Sequence, residues 1–303
     1  MSDHRRPEIA TTPDARRGAG RAYVTVLSTD DYAPGVLALN RSLSRVRSAY
    51  PLVTLVGSSV SDSTKQILSR SGIECVLSPQ EITLPKEIEQ INQGAGHDYW
   101  NHTLDKLSIF SLCQFSKLVY LDSDMIVIKN IDELFDAEHM SAVVASGSVP
   151  GNEDYVTLNS GLMVVEPSAD LTERLVELIP AAAKRKMSDP DAEGVGDQDV
   201  IHEMHPDWKH QAGLRLPETY NMFVTHMDFY IKKLGYSWGG ANGIRVLHFT
   251  GREKPWMSGH LGKLRRCASL LRAGRWNASA AYALHAVLLL GAGGAFDGQA
   301  AQR

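Results

Sequence analysis

Residues 118–127 read LVYLDSDMIV, an apolar run that leads directly into two aspartates. A short continuous apolar run predicts a buried strand of a parallel sheet, because such strands are covered on both faces. In open α/β sheets the ligand crevice lies at the carboxyl ends of the strands. This stretch therefore predicts an α/β fold and also the edge of the sheet at which a functional site should lie.

The segments around this stretch alternate between strand and helix patterns. That order predicts a mostly parallel central sheet with helices on both faces. We expect strands at 22–29, 52–57, 73–77, 142–145, 161–165 and 244–249, and helices at 32–46, 61–71, 103–115, 170–186 and 197–204. Residues 79–101 hold two prolines and two glycines, and we interpret them as an irregular, mobile excursion.

Composition excludes several classes of protein. The chain has 303 residues with 31 Lys plus Arg against 35 Asp plus Glu, so a formal charge of −4 argues against nucleic acid as a partner. Cys75, Cys113 and Cys267 lie far apart in sequence, which excludes a disulfide framework and a cysteine zinc cluster. Such cysteine usage, and an N-terminus without an apolar stretch, favour a cytoplasmic location.

One segment near the C-terminus needs a separate test as a membrane span. Residues 278–296 are apolar over most of their length, but they consist mainly of Ala and Gly and include His285. We expect a packed or surface-lying terminal helix there and no stable membrane span.

Asp122 and Asp124 form an Asp-x-Asp pair just beyond the predicted strand. At extended spacing both carboxylates point to the same side, so together they can hold one hard divalent cation. An ordinary acidic turn is the alternative for this motif taken alone. A phosphohydrolase with an aspartyl nucleophile is disfavoured, because Ile126 stands where that class has Thr or Val.

A second set of candidate residues follows the last predicted strand, in the run HFTGREKPW. His248 could complete a coordination sphere of two carboxylates and one imidazole, a donor set that suits Mn²⁺ or Mg²⁺ with diphosphate oxygens. Gly251 would let the backbone approach a phosphate, and Lys254 could neutralise the charge of a departing diphosphate. A lone histidine is more often structural, so this assignment depends on the position of His248 at the ligand edge.

Five ordered motifs together resemble the family-8 glycosyltransferases, more closely the glycogenin-like members than galactinol synthase. The resemblance covers residues 22–256 and rests on YVTVLSTDDYAPG, LDKLSIFSLCQFSKLVYLDSDMIVIKNIDELFD, LNSGLMVVEPS, GDQD and HFTGREKPW. It implies a GT-A fold, a Rossmann-like sheet merged with an acceptor-binding half, flanked by a disordered tail (1–21) and a C-terminal helical extension (257–303). It also implies a manganese-dependent, anomer-retaining hexosyltransferase that uses a UDP-sugar.

The resemblance also assigns roles to residues at matching positions. Asp122, Asp124 and His248 look like the metal ligands, and Asp197, Gln198 and Lys254 like the catalytic groups. The implied nucleotide-sugar site comprises Ser28, Thr29, Tyr32, Lys106, Asp122, Ser123, Asp124, Asn159, Ser160, Gly251 and Lys254. Asp199 departs from the family pattern by adding a charge near the acceptor side, and Glu193 is only a loose counterpart of a further family aspartate.

Several of these residues have simple structural alternatives. Tyr32 could only pack its helix against the sheet, and Asn159 with Ser160 could form an ordinary turn. Asp197 could be a helix N-cap, because Asp favours that position. Lys106 could be a solvated helix lysine.

Three functions follow as hypotheses. The first is transfer of hexose from UDP-glucose or UDP-galactose to a hydroxyl of a diffusible acceptor, a saccharide or small glycosylated molecule. The second is a self-glycosylating primer that uses a tyrosine of its own chain, for which Tyr230 and Tyr236 are equally eligible. The third is a nucleotide-sugar-binding protein without catalysis. A homodimer remains open.

Two points of mechanism and specificity also stay open at this stage. We favour front-face attack, with Asp197 supporting substrate orientation and Gln198 stabilising the cationic centre through its amide oxygen, over double displacement. Residues 79–101 are expected to add an acceptor wall, with the candidates His97, Asp98, Tyr99, Trp100 and His102.

Overall fold

The computed structural model of the protein describes residues 20–78, 82, 84–188 and 194–290. Its strands are β1 (Arg21–Leu27), β2 (Leu52–Val56), β3 (Glu74–Leu77), β4 (Lys117–Leu121), β5 (Met125–Val127), β6 (Ala142–Val143), β7 (Asn159–Val165), β8 (Arg215–Leu216), β9 (Met222–Phe223) and β10 (Val246–His248). Seven of them form the central sheet in the order β3-β2-β1-β4-β7-β6-β8, and β5-β10-β9 form a smaller sheet.

Strand direction in the central sheet is mostly parallel, as expected. β1 pairs in parallel with β2 and β4, β2 pairs in parallel with β3, and β6 pairs in parallel with β8. β7 runs antiparallel to both β4 and β6. The reversal brings the first residues of β7 next to the residues that follow β4, and the amide of Asp122 donates to the carbonyl of Gly161 at 2.9 Å.

Helices cover both faces of the central sheet. They are α1 (Ala33–Arg45), α2 (Asp62–Arg70), α3 (Lys86–Gly94), α4 (Leu171–Met187), α5 (Asp197–Met204), α6 (Met227–Leu234), α7 (His260–Arg272), α8 (Trp276–Leu289) and a long 3₁₀ helix, Asp98–Ser111. Side chains of a strand alternate between faces, and β1 accordingly contributes to two cores. Ala22 and Val24 pack with the 3₁₀ helix, α4 and α5, whereas Tyr23 and Leu27 pack with α1 and α2.

The predicted elements around the sheet are confirmed within a few residues. β1 begins at Arg21, one residue inside the predicted tail, and residues 1–19 lie outside the described residues. α2 begins after Ser61, whose side chain accepts a hydrogen bond from the amide of Thr64 and so satisfies one free N–H of the first turn. The predicted helix 103–115 is instead the later part of the 3₁₀ helix Asp98–Ser111.

The prediction of an irregular excursion at 79–101 is wrong for its second half. Residues 86–94 form α3, and the 3₁₀ helix begins at Asp98. Pro85 precedes α3 and starts the helix, because its fixed φ suits that position. Ile88 and Asn92, four residues apart, are both buried, and the Asn92 amide bonds both the N–H and the carbonyl of Val195. Because the buried side of this short helix includes the polar residue Asn92, the sequence showed no apolar helical pattern there.

The C-terminal part of the described chain forms two helices that pack near the small sheet. Ala278, Ala281 and Leu288 of α8 belong to the core cluster that includes Met222 of β9 and Leu247 of β10. Among the described residues, no helix has both the length and the apolar character needed to cross a membrane. Residues 291–303, which include the end of the suspected span, lie outside the described part.

His285 of α8 gives the folded protein a specific acid sensitivity. Its side chain is 1 % exposed, lies beside Phe249 and Trp256, and leaves Nδ1 without a hydrogen-bond partner in the described part of the chain. Burial, helped by the charge of Lys263 and opposed by that of Asp124, lowers the pKa of His285 to about 3. The folded protein therefore resists protonation of a group that the unfolded chain protonates near pH 6.5.

We predict that the free energy of unfolding falls as the pH drops below about 6.5, by up to about 1.4 kcal/mol per pH unit from this group. Neutral His285 contributes its full stabilisation at pH values above its pKa in the unfolded chain. This contribution is lost as the pH falls from there toward the lower pKa of His285 in the folded protein. His285→Leu removes this contribution because leucine has no proton to take up. Urea unfolding at several pH values measures both slopes, and parallel profiles for the two proteins would contradict the assignment.

Candidate active site

The site lies at the edge of the sheet where β1 and β4 end and β7 begins. A cavity of about 450 Å³ opens there. It is lined by every residue that the sequence assigned to catalysis, metal or nucleotide sugar: Ser28, Thr29, Tyr32, Lys106, Asp122, Ser123, Asp124, Asn159, Ser160, Asp197, Gln198, His248, Gly251 and Lys254. The structure thus brings these residues together, whereas their individual roles remain proposals.

Asp122, Asp124 and His248 form the one group of three or more metal-ligating side chains found among the described residues, with their donor atoms within 4.8 Å of one another. His248 Nε2 lies 3.2 Å from Asp124 Oδ1 and 3.7 Å from Asp122 Oδ2. The pairing of β5 with β10 sets His248 opposite Met125, directly after the aspartate pair. Two carboxylates and one imidazole fit Mn²⁺ or Mg²⁺.

The orientation of His248 is fixed by a chain of amide side chains. Asn221 Oδ1 lies 2.8 Å from His248 Nδ1, while Asn221 Nδ2 donates to Asn159 Oδ1 at 2.7 Å. Asn159 Nδ2 in turn donates to Gln198 Oε1 at 3.1 Å. Since Nδ1 is engaged with Asn221, Nε2 is the ring nitrogen that faces the carboxylates. Such an outer hydrogen bond sets the tautomer that a metal ligand needs.

Lys106 is the central cation of the site. Its Nζ lies 2.7 Å from Asp197 Oδ2 and 3.1 Å from Asp122 Oδ1, at 5 % exposure. Burial lowers the pKa of Lys106, but the two carboxylates outweigh it and leave that pKa above its ordinary value. The alternative of a solvated helix lysine is therefore wrong, and Lys106 acts in this site as a permanent ammonium.

Lys254 forms a second buried ion pair on the other side of the aspartates. Its Nζ lies 2.5 Å from Asp124 Oδ2 and 3.2 Å from the carbonyl of Phe249. Burial alone would raise the pKa of Asp124, but His248 and Lys254 lower it well below the ordinary value. The partner carboxylate likewise outweighs burial at Lys254 and raises its pKa. The negative charge of Asp124 is therefore stabilised by His248 and Lys254 beside it.

The loop after β10 carries Lys254 and is anchored at its end. Gly251 has φ +94°, a left-handed conformation that favours glycine. Trp256 donates from Nε1 to the carbonyl of Asp31 at 2.8 Å, and its ring meets Tyr32 edge to face. Tyr32 therefore packs against the end of this loop and also lines the cavity, so packing its helix against the sheet is not its only contact.

The start of α5 places Asp197 and Gln198 against the cavity. Gly196 occupies the N-cap position and Asp197 is the first residue of α5, so the N-cap alternative for Asp197 is wrong. Asp199, the third residue of the helix, accepts a hydrogen bond from the amide of Gly196 at 3.0 Å. Gln198 Oε1 accepts from the amide of Ser160 at 3.0 Å and from Asn159. Both lone pairs of this oxygen are occupied by these protein groups, and its expected role at a cationic centre stays a prediction.

Asn159 and Ser160 are the first residues of β7 rather than a separate turn. Gly161 follows them where a side chain would not fit, because a Cβ there would lie 2.8 Å from His248 Cε1. Ser28 and Thr29 follow β1 at the same edge, and the Ser28 hydroxyl donates to the carbonyl of His102 at 3.3 Å. Asn159 and Ser160 therefore belong to a strand, and the alternative of an ordinary turn is wrong.

The expected acceptor wall is described only in part. Trp100 and His102 line the cavity, and His97 stacks on Trp100 with ring centroids 4.6 Å apart. The side chains of Asp98 and Tyr99 lie outside the described residues, as does the whole of Glu193.

The sequence analysis missed several residues around the cavity, among them Tyr120, Tyr155, Asn221 and Lys186. Tyr120 donates to Asp122 Oδ1 at 2.6 Å, and Tyr155 lies 2.6 Å from the amide nitrogen of Gln198. Burial raises the pKa of Tyr155 to about 12. Tyr120 stood inside the most informative motif, where alternation along the strand could have revealed it. Asn221 and Lys186, which pairs with Asp199 at 3.2 Å, lie in no motif that points to the site.

Comparisons with known proteins agree on family and fold. Human glycogenin-1 is 33 % identical over 245 residues, covering 78 % of this chain and 62 % of its own length. A putative UDP-glucuronate:xylan alpha-glucuronosyltransferase 3 from Arabidopsis thaliana is 30 % identical, covering 78 % of this chain and 34 % of its own length. The chain thus spans less than two thirds of the length of these relatives.

Solved structures of glycosyltransferases resemble the fold at low sequence identity. An active-site mutant of LgtC matches with a TM-score of 0.55 at 15 % identity, over 82 % of this chain and 95 % of LgtC. GlyE of Streptococcus pneumoniae matches with a TM-score of 0.52 at 16 % identity, over 86 % of this chain and 60 % of GlyE. These likenesses confirm the GT-A fold. The family model for glycosyl transferase family 8 matches residues 23–259, and the chain therefore belongs to that family.

Proposed function

We propose that the protein is a metal-dependent, retaining glycosyltransferase that moves a hexose from a UDP-sugar to a hydroxyl of a diffusible acceptor. One observation carries this proposal: a three-residue metal-ligating group, two buried lysines and the start of α5 all face one cavity. The family supports a transferase. The same set of charged residues argues against a binding protein that lacks catalysis, because binding alone does not need so many buried charges.

Asp122, Asp124 and His248 would hold the cation. Mn²⁺ or Mg²⁺ would supply Lewis-acid stabilisation of the leaving diphosphate. The donor set fits such an ion, since one donor atom of each of the three side chains converges within 4.8 Å and the contact with Asn221 leaves His248 Nε2 facing the carboxylates. Ser28, Thr29 and Tyr32, at the end of β1, would hold the uridine.

Lys254 would assist departure of the nucleoside diphosphate. Its ammonium lies at the cavity wall beside Asp124, and the Gly251 backbone precedes it in the same loop. Negative charge grows on the leaving oxygen as the glycosidic bond breaks, and a fixed buried cation stabilises that charge. Lys254 would thus bind the diphosphate and lower the barrier to its departure.

Front-face attack suits the position of Asp197 better than double displacement. Its carboxylate is ion-paired with Lys106 at 2.7 Å and is 5 % exposed. A carboxylate held by an ammonium is a weaker nucleophile than a free one. We therefore propose that Asp197 orients Lys106 and the donor sugar, and that Gln198 positions Asn159 and Ser160 beside that sugar.

The structure offers little support for self-glycosylation. Tyr230 is 1 % exposed and donates to Glu218 at 2.7 Å, and Tyr236 lies 3.1 Å from the same carboxylate. Burial raises the pKa of Tyr236 to about 12. Neither tyrosine lines the cavity, so we favour a saccharide or small glycosylated molecule as acceptor, in a cytoplasmic protein. A homodimer stays untested.

The donor assay tests the proposed chemistry. With Mn²⁺, we expect release of UDP from UDP-glucose or UDP-galactose, and chelation should stop it. Asp124→Asn should lower the rate more than about 100-fold, because one ligand and one charge are lost. Asp154→Asn, at an exposed acid away from the cavity, is the control. Turnover without a divalent ion, or near-normal activity of Asp124→Asn, would contradict the metal assignment.

Asn221 should act on metal affinity through His248. Asn221→Ala frees the imidazole to rotate and change tautomer, so we expect the Mn²⁺ concentration for half-maximal activity to rise about 10- to 100-fold. Excess Mn²⁺ should restore much of the rate, which a general loss of folding would not allow. Asn130→Ala removes amide hydrogen bonds elsewhere in the fold and should leave metal affinity unchanged. An unaltered Mn²⁺ requirement in Asn221→Ala would refute this role.

Intact-mass measurement distinguishes the two acceptor hypotheses. We expect no added hexose after incubation with Mn²⁺ and UDP-glucose or UDP-galactose, because Tyr230 and Tyr236 are engaged with Glu218. Hexose additions that disappear in Tyr230→Phe or Tyr236→Phe would instead establish self-glycosylation. The melting temperatures of both variants must match the wild type for that reading.

A further inference from the structure

Helix α7 lies at the surface of the protein, and most of its side chains are at least partly exposed to solvent. Of its thirteen residues only Leu270 is buried. Leu261, Leu264 and Leu271 are 70 %, 67 % and 41 % exposed. Their spacing of three and seven residues places them on one side of the helix. This outer stripe, Leu261, Leu264 and Leu271, is an apolar face directed to solvent.

Positive charge borders the outer stripe and surrounds it in sequence. Arg265 and Arg272 follow Leu261 by four and eleven positions, so they flank the same side of the helix. Both are exposed and form no ion pair or hydrogen bond with the described residues. Residues 252–276 hold seven Lys or Arg and one acidic residue, whereas the whole chain has 31 Lys plus Arg against 35 Asp plus Glu. The excess of positive charge is therefore local to this helix and its flanks.

The inner side of α7 lines a second basic cavity. This cavity of about 250 Å³ lies between α7 and the loop that carries Lys254, and Lys263 and Arg266 line it. Arg266 also pairs with Glu253 at 2.8 Å and lies over the ring of Tyr282. Cations with room beside them can receive an anionic group such as a phosphate.

We propose that α7 docks the protein on an anionic lipid bilayer. Leucines on one side with arginines at the border are the pattern of a helix that lies in the membrane interface, with its apolar side among the acyl chains and its cations among anionic headgroups. This docking goes beyond the proposed transfer reaction and does not depend on it.

A second copy of this chain fits the outer stripe less well than a bilayer does. A symmetric dimer through this face brings the Arg265 and Arg272 of one copy toward those of the other, and like charges at an interface are unfavourable. An anionic bilayer instead complements both the leucines and the arginines.

Docking would also bring the donor cavity close to the lipid surface. Lys254 lies at the wall of the donor cavity and α7 begins at His260, six residues later. Six residues span at most about 20 Å. The start of α7 therefore lies within about 20 Å of Lys254 at the wall of the donor cavity.

Sedimentation with vesicles tests the proposal on the full chain. We expect binding to mixed phosphatidylcholine–phosphatidylglycerol vesicles, weakened by salt, and little binding to pure phosphatidylcholine. Arg265→Gln with Arg272→Gln should lower the partition coefficient about tenfold or more. Leu261→Asn with Leu264→Asn should lower it at least as much. Release of UDP without vesicles should not change, because none of these residues lines the donor cavity.

Matched surface changes provide the controls. Arg45→Gln with Arg70→Gln removes two exposed arginines elsewhere, and Leu77→Asn removes a leucine that is 68 % exposed. Both should leave vesicle binding unaltered. Absence of binding, equal binding to the two kinds of vesicle, or α7 variants that bind like wild type would overturn the proposal. So would a dimer, seen by analytical ultracentrifugation, that the Leu261→Asn, Leu264→Asn variant abolishes without any vesicle binding by the wild type.

Discussion

The buried ammonium of Lys106 connects three parts of the chain that are distant in sequence. It belongs to the 3₁₀ helix Asp98–Ser111, and it contacts Asp122 at the end of β4 and Asp197 at the start of α5. A charge buried to this degree is tolerated only when carboxylates and hydrogen-bond acceptors surround it. The cation therefore fixes the distance between the aspartate pair and α5.

The reversal of β7 explains how a mostly parallel sheet builds a site with so many polar groups. Strands β1 and β4 deliver residues that follow their carboxyl ends, whereas β7 delivers its first residues to the same edge. Asn159 and Ser160 can therefore face Asp122 across one hydrogen-bonded pair. Gly161 allows β7 to lie close to His248, because the Cβ of any larger residue at this position would clash with the imidazole.

The sheet and most of the site could be predicted because their signals are local. The apolar run before Asp122 predicts a strand. Residues that follow a strand lie at the carboxyl edge of the sheet, where ligands bind in open α/β folds. The motif residues consequently meet in one cavity. The ion pair of Lys106 with Asp197 could not be inferred, since it joins positions 91 residues apart that no periodicity relates. Asn221 was missed for the same reason, and α3 because its buried side includes a polar residue, Asn92.

Lys254 and Lys106 also affect how the chain folds. Three carboxylates close together would repel one another and oppose assembly of this edge if nothing balanced them. The two ammonium groups offset two of these three charges from within the chain, at 2.5 Å from Asp124 and 2.7 Å from Asp197. Repulsion at this edge is thus reduced by groups of the chain itself. Assembly of the protein is in this way separated from loading of its site, unlike in small domains whose folding waits for their metal.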